Sequence, residues 1–111
     1  MKIDTKYKQL KIKELADLTV GGTWGPEATD GNGILVLRST NFTKDQKITF
    51  KNIAYRQISN SKLRNRILKD GDILIEVSGG GPSQPVGRAL GFYNPDGNDY
   101  TYGNFVRRLK L

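Results

Sequence analysis

Apolar positions along this chain come in short clusters separated by glycine, proline and charge. In 7–18, YKQLKIKELADL, Ile12, Leu15 and Leu18 recur at three-residue spacing with Ala16 between them. One apolar face of that kind predicts a short helix, over 10–18. Gly21-Gly22 lies past its end and lets the chain turn away. Segment 21–33, GGTWGPEATDGNG, holds five glycines and a proline in thirteen residues and reads as loop, with Trp24 as an anchor on the domain body. A buried strand follows at 34–38, ILVLR, and ends in the turn-formers Ser39-Thr40-Asn41. Segment 47–58 reads as one or two short strands broken at Lys51-Asn52. Ser59 is placed to cap a helix running to about Arg66, with Leu63 and Ile67 one turn apart. Asp70-Gly71 is a tight turn, and 73–77, ILIEV, has the strongest strand signal in the chain. A second strand at 86–93, VGRALGFY, carries glycines where backbones can approach closely. Asn94-Pro95-Asp96-Gly97 is a turn. The last segment, 104–111, alternates: Phe105, Leu109 and Leu111 on one face with Arg107 between them, and Val106, Arg108 and Lys110 on the other.

These elements predict a single domain over 1–111 of α+β class. It is mostly β, with about six strands in a mixed or antiparallel sheet over 34–111 and one or two short helices. The last strand runs into the C-terminus, so a piece of a longer chain is expected.

Composition narrows the chemistry. The 111 residues include neither Cys nor His. That leaves no disulfide framework, no thiolate nucleophile and none of the His-based catalytic pairs. No apolar h-region follows the Lys-rich start, and the longest apolar run, Ile34 to Leu37, is far too short for a membrane span. A cytoplasmic protein with no membrane partner is therefore expected. The formal net charge of +7 points to a polyanionic partner, most often nucleic acid.

Catalytic and cofactor motifs fail one by one. The stretch 76–92, EVSGGGPSQPVGRALGF, is glycine-rich, yet counting from Gly79 the sixth residue is Gln84, and a strand follows instead of a helix, so it is no dinucleotide fingerprint. Aligned as a phosphate loop, it has Pro82 for the first Gly, Arg88 for Lys and Ala89 for Ser or Thr. Asp70, Asp72 and Glu76 superficially resemble a metal nuclease set, but Asp70 belongs to a turn and Glu76 is followed by Val77-Ser78. Asn94, Asp96 and Asn98 begin like a calcium loop, but Asp99 stands where Gly is needed and Phe105 where Glu is needed. Neither a catalytic residue nor a metal or other cofactor is expected.

The order and spacing of several segments resemble a known family. They are IKELADLTVGGT, then ILVLRSTNF, then LKDGDILIEVSGGGPSQPVGRALGF, and finally NFVRRLKL. The third is the most specific, with Leu68, Gly71-Asp72-Ile73-Leu74, Ser78-Gly79-Gly80 and Val86-Gly87-Arg88. Together, over about 7–111, they resemble a target-recognition domain of the DNA-specificity subunit of type I restriction–modification systems. The resemblance implies a non-catalytic module that reads one half of a bipartite double-stranded DNA site. It also implies, as partners, the modification (methyltransferase) subunit and the restriction subunit. Such subunits usually carry two recognition domains joined by long helices; the resemblance here extends to one such domain, and no long helix is expected.

On this reading the candidate DNA-binding residues are Arg38, Ser39, Asn41, Lys62, Arg64, Arg66, Ser78, Ser83, Gln84 and Arg88. Gln84 and Ser83 have the donors and acceptors to read a base edge, Arg38 and Arg88 suit phosphate or guanine, and Lys62, Arg64 and Arg66 suit the backbone. The alternative is a stand-alone basic β-domain that binds single-stranded nucleic acid and stacks bases on Trp24, Phe42, Tyr55, Tyr100 and Tyr102. A third reading, a non-binding assembly domain, would show evenly spread charge.

Overall fold

The computed structural model describes residues 18–29, 31–77 and 87–109. The helix expected over 10–18 therefore lies outside the described residues apart from Leu18, which is exposed in a turn.

Two sheets form the body. One holds four strands in the order β1 (Thr19–Gly21), β7 (Val106–Leu109), β4 (Ile73–Glu76), β5 (Ala89–Gly91), all antiparallel. The other holds β3 (Ala54–Arg56), β2 (Ile34–Leu37) and β6 (Tyr100–Tyr102); β2 runs antiparallel to β3 and parallel to β6. A 3-10 turn at Ser39–Asn41 and a four-residue helix α1 (Asn60–Leu63) complete the described elements. The α+β, mostly β architecture with mixed pairing matches the sequence expectation. Among the described residues no helix is long and apolar enough to cross a membrane.

The predicted strands at 34–38, 73–77 and 86–93 form, each shorter than its predicted range. Within 47–58 only Ala54–Arg56 is a strand; Ile48 contributes one bridge to Phe42. The helix begun at Ser59 stops at Leu63 and continues as turn through Arg66.

Two strands were not anticipated. Thr19–Gly21 follows the predicted helix as its exit, and Tyr100–Tyr102 carries no strand signal. Three residues are too few for a periodic signal, and both segments are held by distant partners: Thr19 pairs with Leu109, and Leu35 and Leu37 pair with Tyr100 and Tyr102.

The core gathers Leu37, Phe42, Leu68, Leu74, Leu90, Phe92, Tyr100, Tyr102 and Val106. Phe50, Phe92 and Tyr100 meet at centroid distances of 5.5–6.3 Å with steeply inclined rings, geometry that aromatic quadrupoles favour. The structure decides which of the last strand's two alternating faces turns inward. Val106 is fully buried, while Phe105 is 58% exposed. Register explains the choice: Val106 lies opposite Glu76 and Arg108 opposite Leu74, so the Val106–Arg108 face shares the side on which Leu74 meets the core.

β6 and its flanks join the two sheets. The Tyr102 hydroxyl donates to Val20 O at 3.0 Å, and Thr23 N donates to Tyr102 O at 3.0 Å. Backbones cross closely here. A Cβ on Gly22 would stand 1.9 Å from Gly103 O, and one on Gly25 would stand 2.1 Å from Gln57 O, so only glycine fits at either position. The loop 21–33 thus carries its early glycines for close approach to the sheets.

Candidate nucleic-acid interface

From Lys47 to Lys69 the chain carries seven cations and no carboxylate. Within it, α1 and the turn that follows present Lys62 and Arg64 to solvent. Arg66 folds back: its Nε donates to Gly21 O at 2.7 Å and its Nη1 to Lys62 O at 2.7 Å. That ties the basic turn to β1. Arg107 and Arg108, which were not among the candidates, join it from β7. Arg107 Nε donates to the Thr19 hydroxyl, and Arg108 Nη2 donates to Asn65 O at 2.8 Å. Arg108 also pairs with Asp72 at 3.7 Å.

The Tyr102 phenol lies near this cluster. Burial pushes its pKa up, and the charges of Arg108, Arg66 and Arg107 oppose the shift without cancelling it. The Arg107-Arg108 doublet was visible in the sequence. In one dimension it marks only strand alternation, because its proximity to Arg66 requires the β1–β7 and β6 contacts.

The remaining candidates separate into three groups. Ser39 lies half-buried at the start of the 3-10 turn, and Arg38 immediately precedes it. Arg38 Nη2 donates to Asn52 O at 2.9 Å, while its buried Nε has no partner. Ser78, Ser83 and Gln84 lie outside the described residues.

Asn41 and Arg88 are both engaged within the protein. Asn41 is 2% exposed. Its Nδ2 donates to Thr49 O and Lys51 O, both at 3.1 Å, and its Oδ1 accepts from Arg38 N at 3.0 Å. Its side chain therefore braces the 38–51 turn from inside and has no group left to face DNA. Arg88 is equally committed. Its Nε and Nη2 bind Glu76, and its Nη1 donates to Phe42 O at 3.0 Å and Thr43 O at 3.2 Å. It acts as a structural clasp between β4 and the turn after β2.

The carboxylates that resembled a metal set each have a separate structural task. Asp70 Oδ1 accepts from Asn94 N, Asp72 Oδ2 accepts from Lys69 N, and Glu76 holds Arg88. The Asn94–Asn98 segment is a chain of side-chain-to-backbone turns: Asn94 Oδ1 accepts from Asp96 N and Gly97 N, and Asp96 Oδ1 accepts from Asn98 N.

Of the aromatics named for single-strand stacking, Phe42, Tyr100 and Tyr102 belong to the core. Tyr55 is half-buried and its hydroxyl accepts from Gly33 N at 3.0 Å. Trp24 is anchored as expected, with the Arg56 guanidinium over its ring at 4.3 Å from the centroid, a cation–π contact. No protein-family model matches this chain, and no curated protein matches it.

Proposed function

We propose that this chain is a non-catalytic module that binds double-stranded DNA and reads one half of a bipartite target, as the target-recognition domains of type I specificity subunits do. The observation that carries the reading is this basic stretch. Seven cations without a carboxylate lie from Lys47 to Lys69, and Lys62 and Arg64 are exposed beside the anchored Arg66. Exposed cations close together, as at Lys62 and Arg64, suit a phosphate backbone. The ordered motifs from Ile12 to the terminal strand supply the family resemblance. On that reading the partners are duplex DNA, a modification subunit and a restriction subunit, and the chain itself supplies neither catalysis nor a cofactor. The single-strand alternative loses support, because three of its five stacking aromatics are buried in the core.

Fluorescence anisotropy with labelled duplex tests the proposal. Binding is expected on the order of 10⁻⁴–10⁻⁶ M at physiological salt, weakening with a log–log slope of about −0.9 per neutralised phosphate. Unlabelled duplex should compete better than an equal mass of single strand. Absence of binding, salt-insensitive binding, or stronger competition by the single strand would each overturn it.

A further inference from the structure

A second feature of the surface is not basic but aromatic. A cleft of about 440 Å³ opens between Trp24 and Phe105, within the roughly 300–1,000 Å³ of small-ligand sites. Its walls also include Arg38, Ser39, Thr40 and Asn104. Gly103 forms part of the floor. A Cβ there would lie 3.6 Å from Trp24 Cε3 and 3.7 Å from Arg38 Cγ, so the missing side chain leaves the space between indole and arginine open.

Three properties select the ligand. Phe105 is 58% exposed on the turn before β7, a hydrophobic ring held out to solvent next to an indole whose one face is taken by Arg56. Arg38 brings a guanidinium to the wall, oriented by its Nη2 bond to Asn52 O. Ser39, Thr40 and Asn104 add hydroxyl and amide groups that donate and accept. Planar apolar walls, one cation and short polar groups match a nucleobase with its phosphate: rings stack on aromatics, and guanidinium binds phosphate. The cleft has room for a single nucleotide and none for a stacked duplex.

We infer that the cleft between Trp24 and Phe105 takes one unstacked nucleotide of bound DNA, its base lying against the aromatic rings and its phosphate on Arg38. This rests on the DNA-binding reading above. It adds a preference for a strand that can release a base, since an unpaired nucleotide costs least to extrude.

Trp24 is the only tryptophan, so its emission reports directly on the cleft. The test titrates the chain with a fully paired duplex, with the same duplex carrying one bulged nucleotide, and with a free deoxynucleoside monophosphate. The bulged duplex is expected to quench Trp24 and to bind several-fold tighter than the paired one. Phe105→Ala, at an exposed position, should lower bulged-duplex affinity by about 5- to 150-fold, the range expected for loss of one base–aromatic stack, and leave paired-duplex affinity unchanged. Gly103→Ala, whose methyl fits at ordinary contact distance, should also reduce the bulge preference. Quenching by the free nucleotide alone would support the same chemistry and assign it to a soluble nucleotide. Equal affinity for both duplexes without quenching, or a preference that survives Phe105→Ala, would overturn the inference while leaving the duplex reading intact. Failure of every nucleic acid to bind would overturn both.

Discussion

Arg88 and Glu76 form a two-point clasp across the β4–β5 pair, with Nε 3.1 Å from Oε1 and Nη2 3.0 Å from Oε2. The remaining nitrogen of the guanidinium reaches the carbonyls of Phe42 and Thr43, so one side chain fastens the four-stranded sheet to the turn after β2. The Arg88 hydrogen bonds hold the Glu76 carboxyl below its ordinary value, against the opposing effect of burial.

That clasp gives a pH-dependent prediction. A carboxyl whose folded pKa is depressed contributes stability above its unfolded pKa and loses it as pH falls through the folded value. Glu76→Gln should therefore be less stable than the parent at pH 7, by about 1–2 kcal/mol. This is below the ~3–5 kcal/mol of a fully buried broken pair, because Arg88 is 37% exposed and solvent screens the interaction. The gap should shrink as pH falls below about 4.5, the ordinary glutamate value. Urea melts of both proteins from pH 7 to pH 3 would show this, and a gap independent of pH would refute it.

Asn41→Ala should destabilise by about 2–4 kcal/mol. The substitution removes partners from Thr49 O, Lys51 O and Arg38 N together, and each polar group left unsatisfied when buried costs about 1–3 kcal/mol. Chemical denaturation measures it. A loss of DNA binding with unchanged stability would instead assign Asn41 to recognition.

Gly22→Ala and Gly103→Ala should differ sharply. The first places a methyl 1.9 Å from Gly103 O and forces two backbones apart, which should cost about 3 kcal/mol or more. The second places it at ordinary contact distance and should change stability by less than about 1 kcal/mol. Paired thermal melts decide the matter, and equal effects would mean that the close crossing of β1 and β6 is not as described.

Exposed and anchored arginines should also separate. Arg64→Ala and Lys62→Ala should each weaken binding to all duplex sequences alike and reduce the salt slope by about 1, with stability unchanged within about 0.5 kcal/mol. Arg66→Ala should lower stability as well, because its guanidinium holds Gly21 O and Lys62 O. Binding isotherms at several salt concentrations, together with melts of the three variants, test the distinction.

The amino-acid order alone determined the elements whose signals are local. ILVL and ILIE are runs of β-formers long enough to stand out, and Asp70-Gly71 and Asn94–Gly97 carry their turn chemistry within a few residues; Gly71 and Gly97 do take positive φ, at 90° and 80°. The lack of His and Cys and the net charge of +7 are likewise properties of composition. Tertiary structure decided what depends on distant pairing. β1 and β6 are too short to announce themselves and exist because Leu109 and Leu35 lie opposite them. The inward face of β7 follows from its register with β4, since alternation marks two faces without saying which is buried. The roles of polar side chains were the least legible. Asn41 and Arg88 look like ligand-binding residues in one dimension. Folding surrounds them with backbone carbonyls and a carboxylate, while Arg107 and Arg108 come beside Arg66 from more than forty residues away. A side chain's hydrogen-bonding capacity is written in its type, but whether protein or partner uses it is settled only when the strands have met.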